Sequence, residues 1–138
     1  MNHETARSIV APFYDALNRP AEKDVAALVE GAAIADWRSF SGEGVSKSRE
    51  EFIQQVKGFG KLIPYLAWNI KEVIADGDKV VVRSEASGTP AGELFGVPHG
   101  GKSFRIMTID IHTVRDGKLA TAHHVEDWAG VVRQLSAK

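Results

Sequence analysis

Apolar residues recur at three- and four-residue spacing near the start of the chain, at Ala6, Ile9, Val10, Phe13, Tyr14 and Leu17, and lay one stripe along a helix. Pro12 lies inside that stripe and has no N–H to donate, so the helix either kinks there or begins near it. Asn18-Arg19-Pro20 breaks the run, and AEKDVAALVE then offers a short second helix with Val25 and Leu28 as its buried positions. A third helix has a sharper start. Ser48 and Glu51 stand at the spacing in which each side chain bonds the other's free backbone amide, and Phe52, Ile53, Val56 and Phe59 follow at helical period until Pro64 ends the run.

After Pro64 the period changes from 3.6 to 2. Leu66, Trp68 and Ile70 alternate with polar residues, Asp76-Gly77 signals a turn, and Val80-Val81-Val82 continues as a second strand. A glycine-rich stretch, GTPAGELFGVPHGGK, interrupts the strands; RIMTIDIHTV resumes them, and Asp116-Gly117 turns the chain into LATAHHVEDW. Three helices followed by long strands predict a single α+β domain over residues 1–138, with one curved antiparallel sheet and the helices packed on its concave face.

Composition narrows the function. Seventeen basic residues against eighteen acidic ones leave a net charge of −1, which gives no positive field to attract nucleic acid or an anionic membrane. There is no cysteine, hence no disulfide framework and no thiolate chemistry. The polar start MNHETARS lacks the apolar core of a signal peptide, and no apolar run approaches the roughly 18 residues that span a bilayer, so cytoplasmic residence is expected. The glycine-rich stretch has neither the G-x-x-x-x-G-K-[ST] spacing of a phosphate loop nor a helix pattern after it, and its glycines are expected to shape a crossing between strands and a pocket rim.

The segment GELFGVPHGGKSFRIMTIDIHTVRDGKLATAHHVEDWAGVVRQL resembles the C-terminal half of the SnoaL-like polyketide cyclases, whose pattern runs G-x-x-x-G-[VI]-P-x-x-G-[KR] into a strand reading I-D-[IV]. DKVVVRSEASGT, Pro64 and an N-terminal helix containing FYDALN extend the resemblance over nearly the whole chain. It implies the nuclear transport factor 2-like fold, a cone of curved sheet closed by three helices around a deep apolar pocket, often paired into a dimer through the sheet. It also implies a catalytic carboxylate where this chain has His124, and a histidine on the preceding strand where this chain has Asp110. The two members of an acid/base pair would then be exchanged.

The register of the last hairpin decides which histidine meets Asp110. A three-residue loop with Gly117 left-handed puts Asp110 opposite Ala122 and diagonal to His124; a two-residue turn on Asp116-Gly117 puts it opposite His123. The first is preferred, because Thr108, Asp110, His112, Ala122, His124 and Glu126 then share one face while Ile109, Ile111, His123 and Val125 share the other. Asp110 and His124 are the candidate catalytic pair, either as base and partner or as orienting acid and partner. Tyr14, Trp37, Phe52, Trp68, Met107 and His112 are the candidate substrate contacts, since inward core residues of a cone also wall its pocket. Adjacent strand residues point to opposite faces, so the His123, His124, Glu126 and Asp127 cluster is not expected to hold a metal, and no cofactor is implied.

Two functions stay open. One is a small-molecule enzyme of polyketide cyclase or isomerase type, in the lyase or isomerase class, moving protons on an apolar carbonyl compound. The other is a non-catalytic module of the same fold that binds a hydrophobic molecule or dimerises. In either case Ile109, Ile111 and Val125 would be left uncovered by the helices, which predicts a homodimer through the sheet.

Overall fold

A computed structural model describes residues 1–137. The first helix, α1 (His3–Asp15), is capped by the Asn2 side chain, which accepts from Thr5 N–H at 2.8 Å. It runs from His3 through Pro12, so the helix does not begin at the proline. After a 3-10 turn at Pro20–Glu22 comes α2 (Val25–Ala32), followed by β1 (Ala33–Gly42), β2 (Val45–Ser48) and α3 (Arg49–Leu62). The Ser48–Glu51 capping box at the head of α3 is formed on both sides. Four strands and a last helix follow, with two further turns and the glycine-rich loop between them: β3 (Ala67–Asp76), β4 (Lys79–Gly88), β5 (Phe104–Arg115), β6 (Lys118–Glu126) and α4 (Trp128–Ser136).

The strands form one curved six-stranded sheet in the order β2-β1-β6-β5-β4-β3. Two features depart from the sequence reading. The β1–β2 hairpin lies between α2 and α3, where no strand was expected, and β1 runs parallel to β6 in an otherwise antiparallel sheet. The pattern was hard to see because β1 buries Trp37 and Ser39 while Arg38 points outward and Phe40 is only half-buried, so the apolar and polar positions do not alternate cleanly. The short C-terminal α4 was also not anticipated.

On β5 the alternation is complete: Phe104, Ile106, Thr108, Asp110 and His112 are buried on the concave face, while Met107, Ile109 and Ile111 are exposed on the convex one. The helices cover the concave side, with α1, α2 and α3 contributing Ala6, Val10, Phe13, Val29, Ile53 and Val56 to the common core. Asn18 fastens the end of α1 to the sheet. Its amide nitrogen donates to Tyr14 O at 2.9 Å and Trp68 O at 2.8 Å, and its oxygen accepts from Trp68 N at 2.8 Å, so one side chain fixes the helix end that carries Tyr14 against the strand that carries Trp68.

The β5–β6 turn corrects the preferred register. Arg115 pairs with Lys118, and Asp116 and Gly117 are both left-handed at φ 52° and 78°, which is the two-residue primed turn. That turn alone would bring His123 opposite Asp110. The register shifts by one residue between Thr113 and Val114, however, because Ala120 is an extra residue on β6, and Asp110 pairs directly with His124. The expected face therefore holds, reached by a different turn and a bulge.

Two glycines of α3 test how tightly it packs. A Cβ on Gly60 would stand 2.9 Å from the Ala21 backbone nitrogen and 2.9 Å from Pro20 Cβ, whereas one on exposed Gly58 would meet nothing within 4 Å. Gly58→Ala is expected to stabilise the protein by roughly 0.5–1 kcal/mol through helix propensity. Gly60→Ala should destabilise it by about 1–3 kcal/mol through overpacking. Urea denaturation of both variants checks this, and shifts of the same sign would contradict the close approach.

Candidate functional site

The concave face of β5 and β6 and the inner faces of α1 and α3 enclose a cavity of about 190 Å³. Its apolar wall comes from Phe13 and Leu17 of α1, Phe52, Val56 and Phe59 of α3, and Trp68 of β3. Phe13 and Phe52 stack with ring centroids 5.1 Å apart. At the rim, Phe95 of the glycine-rich loop lies 5.2 Å from Trp128, which in turn lies 5.9 Å from Phe59. Phe95 is left-handed at φ 50°, a costly conformation for a non-glycine residue, and Gly96 beside it is left-handed too. The sequence reading of that loop as a pocket rim agrees with this position.

The polar end of the cavity is formed by Asp110, His124 and Glu126. Asp110 and His124 are directly opposed across the β5–β6 pair, so their Cβ atoms stand roughly 5 Å apart. They are not hydrogen-bonded to each other. His124 Nδ1 donates to Glu126, 2.6 Å from Oε2 and 2.9 Å from Oε1, because residues two apart on a strand share a face. In the neutral ring this leaves Nε2 as an acceptor, and Nε2 is buried with no partner.

Asp110 is held from behind. The Tyr14 hydroxyl donates to Asp110 Oδ2 and stands 2.7 Å from His112 Nε2. A phenol has one proton to give, so His112 must donate its Nε2–H to the Tyr14 oxygen, and the chain of donors runs His112 to Tyr14 to Asp110. Burial pushes the Asp110 carboxyl up to about 7; the Tyr14 hydrogen bond and the nearby His124 oppose the rise, and the charge on Glu126 adds to it. Burial, with His124 nearby, pushes the His112 imidazole down to about 3, so it stays neutral. Burial first, then Asp110, raises the Tyr14 phenol well above its ordinary value. The site thus combines a carboxyl that is part protonated at neutral pH with an imidazole whose outer nitrogen is unengaged.

Of the candidate substrate contacts, Phe52 and Trp68 line the cavity, as do Asp110 and His124. Tyr14, Trp37 and His112 are within 2 % of full burial and lie behind the wall: Trp37 packs on Phe52 at 5.1 Å, and His112 packs on Phe13 at 5.2 Å. Tyr14 and His112 therefore touch Asp110's side of the pocket only through the hydrogen-bond chain. Met107 is a correction, because it is 55 % exposed on the convex face, one residue out of phase with Thr108 and removed from the cavity. The orienting role of Glu126 was missed, although the His124-x-Glu126 spacing on a strand was its visible sign. Lys47, which also lines the cavity, gave no sign because β2 was not anticipated, and Gln55 of α3 lies off the apolar stripe by which that helix was read. Among the described residues, no group of three or more His, Cys, Asp or Glu side chains is arranged to hold a metal. Nor is any helix long and apolar enough to cross a membrane.

Comparison with known proteins agrees with the fold. The family model for SnoaL-like polyketide cyclases matches residues 8–135. The structure is similar to TsrD from Streptomyces laurentii, with 24% identity, a TM-score of 0.85 and coverage of 100% of this chain and 99% of that one. IdmH from Streptomyces antibioticus, a candidate polyketide cyclase, is similar at 22% identity and TM-score 0.83, over 96% of this chain and 99% of that one. AclR from Streptomyces galilaeus, a candidate hydroxylase, follows at 20% identity and TM-score 0.83, over 99% and 88%. Among proteins of curated function, none matches the sequence.

The two buried titrating groups make opposite contributions to stability. Asp110, raised from 3.8 to about 7, contributes stability that is full below about 3.8 and is lost as pH rises through about 7. His112, lowered from 6.5 to about 3, contributes stability that is full above 6.5 and is lost as pH falls toward about 3. Between these limits the slopes, each at most about 1.4 kcal/mol per pH unit, nearly cancel. Asp110→Asn removes one of them. Urea unfolding between about pH 4 and pH 6 should then show the variant losing stability on acidification more steeply than wild type by up to about 1.4 kcal/mol per unit. Parallel curves would mean that the Asp110 carboxyl is not raised by its burial.

Proposed function

The chain belongs to the SnoaL-like polyketide cyclase family, and on that premise we propose that it is a cyclase- or isomerase-type enzyme that enolises a small, apolar carbonyl compound without a cofactor. The observation that carries this reading is the Glu126–His124 pair, which leaves an unpartnered Nε2 across from a part-protonated Asp110 in an apolar pocket. His124 is the general base: Nε2 takes the proton from the carbon next to the carbonyl, and Glu126 stabilises the imidazolium that forms. The electron pair moves onto the carbonyl oxygen, where the protonated carboxyl of Asp110 donates a hydrogen bond to the developing enolate. Tyr14 occupies the other carboxyl oxygen and so keeps the donor turned toward the substrate. Returning the proton to a different carbon, or attack of the enolate carbon on a second carbonyl of the same molecule, would complete an isomerisation or a ring closure.

The cavity volume limits what is enclosed. A cavity of roughly 150 Å³ takes up benzene, so about 190 Å³ holds the reacting ring and not an extended polycycle, the rest of which would lie at the Phe95–Trp128 rim. The same small volume, under the roughly 300 Å³ usual for ligand pockets, favours the second reading, a non-catalytic module that binds a hydrophobic molecule.

We also infer a homodimer through the convex face, where Met107, Ile109, Ile111 and Val125 are 39–72 % exposed on adjacent strands. An apolar sheet face of that kind is normally buried against a partner. Light scattering at micromolar concentration should give about twice the 15.0 kDa chain mass, and Ile109→Lys with Val125→Lys should give monomers. A wild-type monomer would refute the interface.

Exchange of the C1 hydrogens of 2-tetralone in D2O, followed by NMR, tests the chemistry. His124→Ala should slow it by ~10²–10⁴-fold. Asp110→Asn separates the roles: an amide still donates to an enolate, so the exchange rate should stay within ~10-fold of wild type, and the decline in rate above about pH 7 should disappear. A loss of ~10²-fold or more in Asp110→Asn would make Asp110 the base, and binding without exchange in wild type would favour the module.

A further inference from the structure

Lys47 stands out among the residues that line the cavity. Apart from His124 it is the one basic side chain there, it is half-buried, and its ammonium donates to the neutral Gln55 Oε1 at 2.9 Å. Among the described residues no ion pair involves it, whereas other cations of the sheet, such as Arg83 with Glu72 and Arg105 with Glu85, have carboxylate partners. An ammonium has three protons to donate, and a single amide oxygen engages one of them. Its remaining N–H donors are free to meet an anion arriving in the cavity.

The sheet fixes how far that charge lies from the reacting groups. Lys47 pairs with Ser39, Ser39 with Ala122 and Ala122 with His112, so they form one row across β2, β1, β6 and β5. Asp110 lies two residues along β5 on the same face. Three strand spacings separate the two ends, roughly 14 Å from backbone to backbone, and the lysine side chain reaches inward over part of it. Ala122, in the middle, is small and leaves room, and the hydroxyl-bearing Ser39 and Ser41 line the same side. The gap is that of one ring carrying a substituent at each end.

We infer that the substrate is anionic: an apolar ring compound whose carboxylate, or an equivalent acidic oxygen, pairs with Lys47 at one end of the cavity while its carbonyl lies between Asp110 and His124 at the other. Lys47 is then a specificity-determining residue, and the pair orients the ring so that the enolisable carbon faces His124. The inference rests on the enolising pocket proposed above, but its test is one of binding and does not depend on turnover.

The probes are 4-acetylbenzoate and 4-acetylbenzamide, which match in shape and differ in charge, and their dissociation constants are measured by NMR titration of the wild-type protein and variants. The carboxylate should bind roughly five-fold or more tightly than the amide. Lys47→Met should abolish that preference without weakening the amide, Lys47→Arg should retain it, and His124→Ala should leave it in place even though proton exchange is lost. Equal binding by wild type, a preference that survives Lys47→Met, or binding of neither probe at millimolar concentration overturns the inference.

Discussion

Side chains of a strand alternate with period two, so the parity of β6 relative to β5 determines whether the histidines and acids of the last hairpin face the core or the exterior. That parity is set by one extra residue. The primed turn at Asp116-Gly117 would by itself bring His123 opposite Asp110 and send His124 and Glu126 outward. The bulge at Ala120 restores them to the concave face. Everything at the polar end of the cavity depends on this: the Glu126–His124 bond, the opposition of His124 and Asp110, and the small Ala122 that leaves the cavity open between the helices and the sheet. The tolerated cost is a local break in the ladder, in a hairpin otherwise held by β4 on one side and β1 on the other.

Burial then gives these groups their character. Asp110 and His112 both lie where water cannot solvate a charge, and the environment raises one and lowers the other, so both tend toward neutrality. Tyr14 connects them. By receiving from His112 and donating to Asp110 it links three buried side chains with two hydrogen bonds and leaves one carboxyl oxygen uncommitted, while His112 Nδ1 stays without a partner. Without it Asp110 would be an isolated buried acid, an arrangement that destabilises a fold. With it, the acid is held in one orientation and its proton is available near neutral pH. Asn18, by bonding both Tyr14 and Trp68 backbones, carries that positioning back to the junction of α1 and β3.

Much of this was legible in the residues. The stripe from Ala6 to Tyr14, the Ser48–Glu51 capping box and the alternation from Thr108 to His112 are local patterns, each set by period or by capping chemistry, and each formed as read. What was not legible depends on pairing between distant segments. The β1–β2 hairpin has a polar inner side, because Ser39 and Ser41 face the cavity and not a dry core, so its alternation does not register as a strand. The Ala120 bulge is invisible locally, since an alanine in a strand carries no mark of being unpaired. Likewise nothing near Tyr14 in sequence announces a partner 96 residues away; the aromatic stripe predicted its burial, and the hydroxyl's role followed only from the packing of α1 on the sheet.

The exchange of acid and histidine that the family resemblance implies has its own physical logic. A carboxylate at position 124 would stand two residues from Glu126 on the same face and opposite Asp110, gathering three acids at one end of an apolar cavity, where mutual repulsion and burial would drive their protonation. An imidazole there converts the neighbouring Glu126 from a competitor into a partner, fixes which ring nitrogen faces the cavity, and leaves Asp110 as the one strongly desolvated acid. The same two strands therefore place an imidazole beside a carboxyl that is part protonated at neutral pH. In the proposed proton transfer the charge that forms is an imidazolium already next to a carboxylate, so the low-dielectric pocket would strengthen that interaction and not oppose it.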